Sequence, residues 1–231
     1  MNIVIATIKS WNIEAADQLK KEYASQHEVY IFTENNELTV DSLRRINPEF
    51  VFFPHWSWII PKEIFDNYNC VVFHSTDLPF GRGGSPLQNL IARGIYKTKV
   101  SAIKVCDGVD TGPIYLKEPI DISEGNADQI FRRISSIIFE KMIPKFLESS
   151  LIPTPQTGEV VSFKRRRPED SEIPDGLSQR QIYDYIRMLD GEGYPPAFRR
   201  YGDLRIVYKD AEIIDNTVTA KATIVGDSED K

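Results

Sequence analysis

The sequence predicts an α/β protein: a Rossmann-like, mostly parallel sheet with a small C-terminal α+β appendage. Three observations carry that prediction. Through the first half, short apolar runs alternate with helical stretches over brief connections, the pattern of parallel strands with helices on both faces. The runs are nearly continuous in Val, Ile and Phe, as strands buried on both sides require. Past Pro155 the composition turns basic, then acidic and polar.

Each element follows in order. Residues 2–7 form an apolar strand. Residues 14–23 are helical, with Ala15, Leu19 and Tyr23 four apart. Residues 28–32 make a second strand. Residues 39–46 make a short helix with Thr39 or Asp41 available as N-cap. Residues 50–53 are a third strand, Pro61 opens a short helix to 65, and 70–73 are a fourth strand. A glycine-rich loop leads to a helix at 87–93 and then to strands at 99–106 and 114–120. The longest helix spans 126–147, where Ile130, Ile134, Ile137, Ile138, Met142 and Phe146 mark one face. The boundary falls near 150–168, giving 1–163 as the main domain and 164–231 as the appendage. In the latter, Ser178 caps a helix to 189. Short strands at 205–208, 211–214 and 217–225 form a meander with turns at Lys209-Asp210 and Asp215-Asn216. The tail, 226–231, is expected to fray.

At 231 residues the chain can bury a core without staples. Its net charge of −6 does not invite a large polyanion, because phosphate backbones are held by clustered Lys and Arg. Cys70 and Cys106 lie far apart with no C-x-x-C pair, so they read as reduced thiols rather than metal ligands; no metal is expected. The N-terminal run is too short for a signal peptide, and no apolar segment has the ~20 residues that cross a bilayer. The expected location is the cytoplasm, with no membrane partner.

Ligands of open parallel sheets bind beyond the carboxyl ends of the strands. Three strands end there in reactive or polar residues. His74 directly follows the fourth strand, and the chain then turns into Gly81-Arg82-Gly83-Gly84, where glycines let backbone approach a ligand. Histidine in that position can donate to a developing oxyanion or shuttle a proton. Cys106-Asp107-Gly108-Val109-Asp110 follows the fifth strand. An aspartate there could position an imidazole or order a water; as a plain D-G turn it would do neither. Lys9-Ser10-Trp11-Asn12 joins the first strand to the first helix, a junction whose free N–H groups suit a phosphate. His55 also follows a strand and is a further candidate.

These pieces resemble the folate-dependent formyltransferase family. Its pattern around the histidine is N-x-H-x-S-L-L-P-x-x-R-G-x-x-P. Here His74, Leu78-Pro79, Arg82-Gly83 and Pro86 fall in register, and Asp110-Thr111-Gly112-Pro113 matches the family's D-T-G. Trp58-Ile59-Ile60-Pro61, Arg166-Arg167-Pro168-Glu169-Asp170 and Tyr194-Pro195-Pro196-Ala197-Phe198 resemble further stretches, so the likeness spans most of the chain. It implies direct formyl transfer from N10-formyltetrahydrofolate to an amine. His74 would stabilise the tetrahedral oxyanion, and Asp110 would keep His74 protonated and order a water. The donor would contact Arg82, Gly83, Gly84, Cys106 and Asp107. The acceptor would contact Lys9, Trp11, Asn12 and Thr76. The resemblance also makes 1–163 the catalytic domain. One position departs: the family asparagine two residues before the histidine falls on Val72, which cannot donate a hydrogen bond. His55, Gln88 and Asn89 are the candidate replacements.

The expected acceptor is a nucleotide-linked 4-amino-deoxysugar of bacterial surface glycans. Methionyl-tRNA is the alternative, disfavoured because the chain is short and, from Pro168 onward, carries fourteen Asp/Glu against eight Lys/Arg. A formyl-folate hydrolase or a non-catalytic folate-binding protein is the third reading, prompted by Val72. The appendage's strands leave edges that need cover, and a homodimer through that region would supply it.

Overall fold

The structure, a computed structural model, describes residues 1–215 and 217–226. Its strands are β1 (Asn2–Ala6), β2 (Glu28–Phe32), β3 (Phe50–Phe53), β4 (Cys70–His74), β5 (Phe80–Gly83), β6 (Lys97–Lys104), β7 (Ile114–Asp121), β8 (Val161–Phe163), β9 (Ala197–Tyr201), β10 (Leu204–Ile214) and β11 (Thr217–Gly226). The helices are α1 (Ser10–Glu22), α2 (Val40–Ile46), α3 (Lys62–Asn67), α4 (Pro86–Ala92), α5 (Ala127–Ile137), α6 (Ile143–Glu148) and α7 (Gln179–Arg187). A six-stranded sheet runs β2-β1-β3-β4-β6-β7. Its first four strands are parallel, and β6 joins β4 antiparallel. This is the mostly parallel sheet that the sequence predicts. Among the described residues no helix is long and apolar enough to cross a membrane.

The chain groups into two compact units. The first comprises Met1–Arg82, Lys99–Ile120 and Arg132–Ser162. On one face of its sheet, Val4, Ala6, Val51, Phe53 and Cys70 pack with Leu43 of α2 and Ile64 of α3. On the other, Phe50 and Phe52 meet Phe146 of α6 edge to face, 5.4 and 5.2 Å between ring centres. Burying both faces explains the unbroken apolar runs of β1 and β3. Thr39 caps α2, accepting from the Ser42 N–H at 3.1 Å.

The second unit comprises Gly83–Thr98, Asp121–Phe131 and Phe163–Lys231. Its antiparallel sheet is ordered β11-β10-β9. Ser178 caps α7 in a capping box with Gln181. Arg187 of α7, 1% exposed, bonds Asp184 at 2.6 Å and the carbonyls of Ile122 and Gly125 at 3.0 and 2.9 Å. Asp184 also accepts from Tyr96 at 2.5 Å and Arg180 at 3.0 Å.

Three expectations are corrected. Lys209-Asp210 is not a turn between two strands: β10 runs through it, with a register shift against β11 between Lys209 and Glu212. Asp210 takes φ 50° there as a bulge, its N–H held by Asp190 at 2.9 Å. The helix expected at 126–147 is broken by a π-helical turn at Ile138–Met142. Pro144 follows it and has no N–H to give to the carbonyl four residues back, so the regular ladder loosens. The short strands β5, β8 and β9 were not foreseen; β5 and β8 pair with each other, and β9 with β10. The expectations for Asn216 and for the tail beyond Gly226 lie outside the described residues.

Candidate active site

His74 is the last residue of β4 and is 8% exposed. Its Nε2 meets the Gly81 carbonyl at 2.7 Å. An acceptor at that distance makes Nε2 the donating nitrogen. The other nitrogen, Nδ1, faces Asp110 Oδ2 at 3.4 Å. One ring nitrogen is thus anchored on backbone, and the other shares its edge with a carboxylate. The turn after His74 is tied down independently. Ser101 Oγ donates to the Thr76 carbonyl at 2.7 Å and accepts from the Leu78 N–H at 3.4 Å. Lys117 and Lys99 both pair with Asp77. Partial burial works to raise the Asp77 carboxyl, and these two ammonium partners overcome it, holding it below the ordinary carboxylate range.

Asp110 sits in the loop between β6 and β7 at φ 53°. A non-glycine residue needs support to stay in that left-handed region, and the loop supplies it. A Cβ on Gly112 would lie 1.7 Å from the Lys104 carbonyl, so the D-T-G glycine lets the loop press onto the end of β6. Gln156 completes the support. Its Nε2 donates to the carbonyls of Asp110 and Gly112, each at 2.8 Å. Its Oε1 accepts from Arg82 Nε and Nη2 at 3.1 and 2.8 Å. Sequence reasoning missed Gln156, which stands in a Pro- and Gly-flanked stretch, TPQTG, with no periodicity or motif to single it out.

At the ends of β1 and β3 a second cluster forms. Asn12, 1% exposed, donates to the Pro54 carbonyl at 3.2 Å, and Thr7 donates to the same oxygen at 2.5 Å. Trp11 is buried, edge-on to His55 at 6.1 Å, with Lys9 over its ring at 5.5 Å and Arg132 at 5.6 Å. His55 takes φ 57°. Burial, then the charge of Lys9, lower its pKa to about 4. The Trp56 indole N–H and the Asn12 Oδ1 are buried without hydrogen-bond partners.

The first unit thus brings together His74, Asp110 and Arg82, and separately Lys9, Trp11 and Asn12. Thr76 is wholly buried, its hydroxyl donating to Gly81 at 3.3 Å. The Asp107 carboxylate points to Lys62 at 2.6 Å, and Cys106 Sγ lies 3.4 Å from Thr111 Oγ1. In the second unit, Gly83 and Gly84 are explained by packing: added Cβ atoms would lie 2.4 Å from the Phe163 carbonyl and 2.5 Å from Arg165. The Asn89 amide donates to Gly84, Ser85 and Lys164 carbonyls, and Gln88 donates to Met188. Val72 pairs with Phe53 and Ile103 on its two neighbouring strands and brings no donor to the face of β4 that it shares with His74.

The model of the formyl transferase family matches residues 6–140. The chain belongs to the formyl transferase family. The model of the methionyl-tRNA formyltransferase C-terminal domain matches residues 168–225. The methionyl-tRNA formyltransferase of Thermodesulfovibrio yellowstonii is 30% identical over 76% of the chain and 58% of its own length. The chain spans roughly three-fifths of the curated relatives that it matches, 58% and 65% for two of them. A solved structure described as methionyl-tRNA formyltransferase from Clostridium thermocellum is 55% identical, with TM-score 0.95, over 98% of this chain and 99% of that one. A sugar N-formyltransferase from a Shewanella species shares the fold alone: 14% identity, TM-score 0.72, over 93% and 99% of the two chains.

Proposed function

We propose that this chain transfers a formyl group from N10-formyltetrahydrofolate to a primary amine, and that the amine is that of methionyl-tRNA. The observation that carries the acceptor is the 55% identity, over nearly the whole of both chains, to a protein described by that activity. The donor supplies an activated one-carbon acyl group. The stretch after β3 fits such a donor: the buried Trp56 N–H lacks an acceptor, and Trp58 and Ile59 beside it expose apolar surface, Ile59 at 93%. Both suit a flat, polar-edged ring.

The work of the residues follows from the anchoring of His74. Gly81 holds Nε2, so Nδ1 is the edge that gives a proton or hydrogen bond to the oxygen where charge develops. Asp110, across 3.4 Å, orients that edge and takes up, through a water, the proton that leaves the attacking amine; that proton returns to the donor nitrogen as its bond to the formyl carbon breaks. Lys9 at the start of α1 suits a phosphate of the acceptor, whereas Asn12, buried with its amide on the Pro54 carbonyl, is committed within the fold. Residues 1–163 are the catalytic domain, and 164–231 pair two copies through the strands β9–β11.

A nucleotide-linked 4-amino-deoxysugar is the second reading. Arginines of the second unit are already matched with carboxylates: Arg199 with Asp175 at 2.7 Å, Arg180 with Asp184 at 3.0 Å, and Arg200 with Glu172. That takes these three from an RNA backbone, though the run Lys164-Arg165-Arg166-Arg167 stands in the same unit.

The test is tetrahydrofolate release from the formyl donor with methionyl-tRNA, with UDP- and dTDP-linked amino sugars, and with no acceptor. Turnover is expected with methionyl-tRNA, and His74→Ala lowers it by roughly 100-fold or more. Turnover only with a sugar replaces the acceptor. Release without any acceptor makes the chain a hydrolase, and none at all leaves a folate-binding protein.

A further inference from the structure

We propose that Gln156 is the positioning residue of this site: its carboxamide joins Arg82 to the backbone of the Asp110 loop and so holds the Asp110 carboxylate against His74. The inference rests on reading His74 and Asp110 as the reacting pair. Four contacts use the side chain fully. Both amide hydrogens go to carbonyls, of Asp110 and Gly112 at 2.8 Å each, and the amide oxygen takes two guanidinium N–H groups at 3.1 and 2.8 Å. The orientation is unambiguous, because a flipped amide would set oxygen against two carbonyls and NH2 against a cation. The surrounding stretch, 151–160, is otherwise mostly exposed, so it contributes little packing there. It is set beside the loop by a bridge in which Thr154 and Ile114 exchange hydrogen bonds at 2.7 and 2.9 Å. Ile114 follows Gly112 by two residues, so the bridge delivers Gln156 to the loop.

The loop needs this hold. Asp110 sits at φ 53°, a conformation that persists only when its surroundings over-determine it. Released, Asp110 relaxes towards extended backbone, and its carboxylate swings away from Nδ1.

Gln156→Glu isolates the tether: a carboxylate keeps the acceptor for Arg82 but has no N–H for the two carbonyls and repels them. Two measurements test it, alongside urea unfolding as a check on folding. The first is steady-state kinetics, where kcat is expected to fall roughly 10- to 100-fold from misplacement of the pair, with KM for donor and acceptor changed less than twofold. The second is 15N-histidine NMR of a chain with three histidines: the His74 Nδ1 resonance moves, while those of His27 and His55 stay. A variant with wild-type kcat and an unmoved His74 resonance overturns the proposal. If Gln156→Glu fails to fold, Gln156→Met, which keeps the length and loses all four bonds, is read in the same way. His74→Ala with undiminished turnover overturns the reading of the reacting pair instead, and the resonance still decides the tether without any turnover.

Discussion

Two histidines at neighbouring strand ends occupy opposite electrostatic settings. His74 faces acceptors on both ring nitrogens, Gly81 O at 2.7 Å and Asp110 at 3.4 Å. His55 faces a tryptophan edge and the charge of Lys9, and its pKa drops to about 4. The sign for stability follows from linkage. Between pH 6.5 and 4 the unfolded chain binds a proton at this position that the folded chain refuses, so His55 lowers stability as pH falls through that window and is neutral above it. The loss is on the order of 1–3 kcal/mol. His55→Gln is expected to flatten the difference between urea unfolding at pH 7 and at pH 4.5; an unchanged difference would show that His55 takes its proton freely in the fold. The other residue-scale contrast is Cys70, whose thiol burial pushes up to about 12 against a smaller opposing pull from Lys104.

At the scale of elements, helix caps are the most legible features, whereas the break ahead of Pro144 is not. Ser178 reads as the cap of α7 from its type and position, and its hydroxyl accepts from the Gln181 N–H at 3.3 Å. Ser178→Ala is expected to cost about 1 kcal/mol in urea unfolding, and Ser178→Asp about nothing, since a carboxylate accepts equally well at a helix start. Elements that need a distant partner were not legible. β5, of four residues, and β8, of three, carry too few residues for any period to register, and they exist because they pair. Lys209-Asp210 has the composition of a turn, yet β11 pairs on both sides of it, and that pairing outweighs the local preference.

For the whole molecule, the second unit is organised around a buried ion pair rather than an apolar core alone. Arg187 and Asp184 have side chains only 1% and 4% exposed, and Tyr96, Arg180 and two carbonyls satisfy most of their remaining polar groups. Removing one partner leaves a charge buried without its counter-ion. Asp184→Asn is expected to cost about 3 kcal/mol, read as faster amide exchange through α7 and β10; an unchanged exchange pattern would show that the carbonyls alone suffice.

The sequence by itself determined the sheet of the first unit, its covering helices and the family. Apolar period and caps are local properties, and the histidine and D-T-G motifs stand at fixed spacing. It also pointed to the two residues to test first, His74 and Asp110, because both fall in register with the motifs of the family that the sequence resembles. Only the tertiary structure decided what holds them. Gln156 meets Asp110 from 46 residues away, and Gly81 meets His74 through a backbone oxygen that has no side chain to read. Asp107, an equal candidate in sequence, turns instead to Lys62, 45 residues distant. The physical reason is common to all three: a hydrogen bond is set by the path of two backbones through space, and residue type at one position does not encode the path of the other.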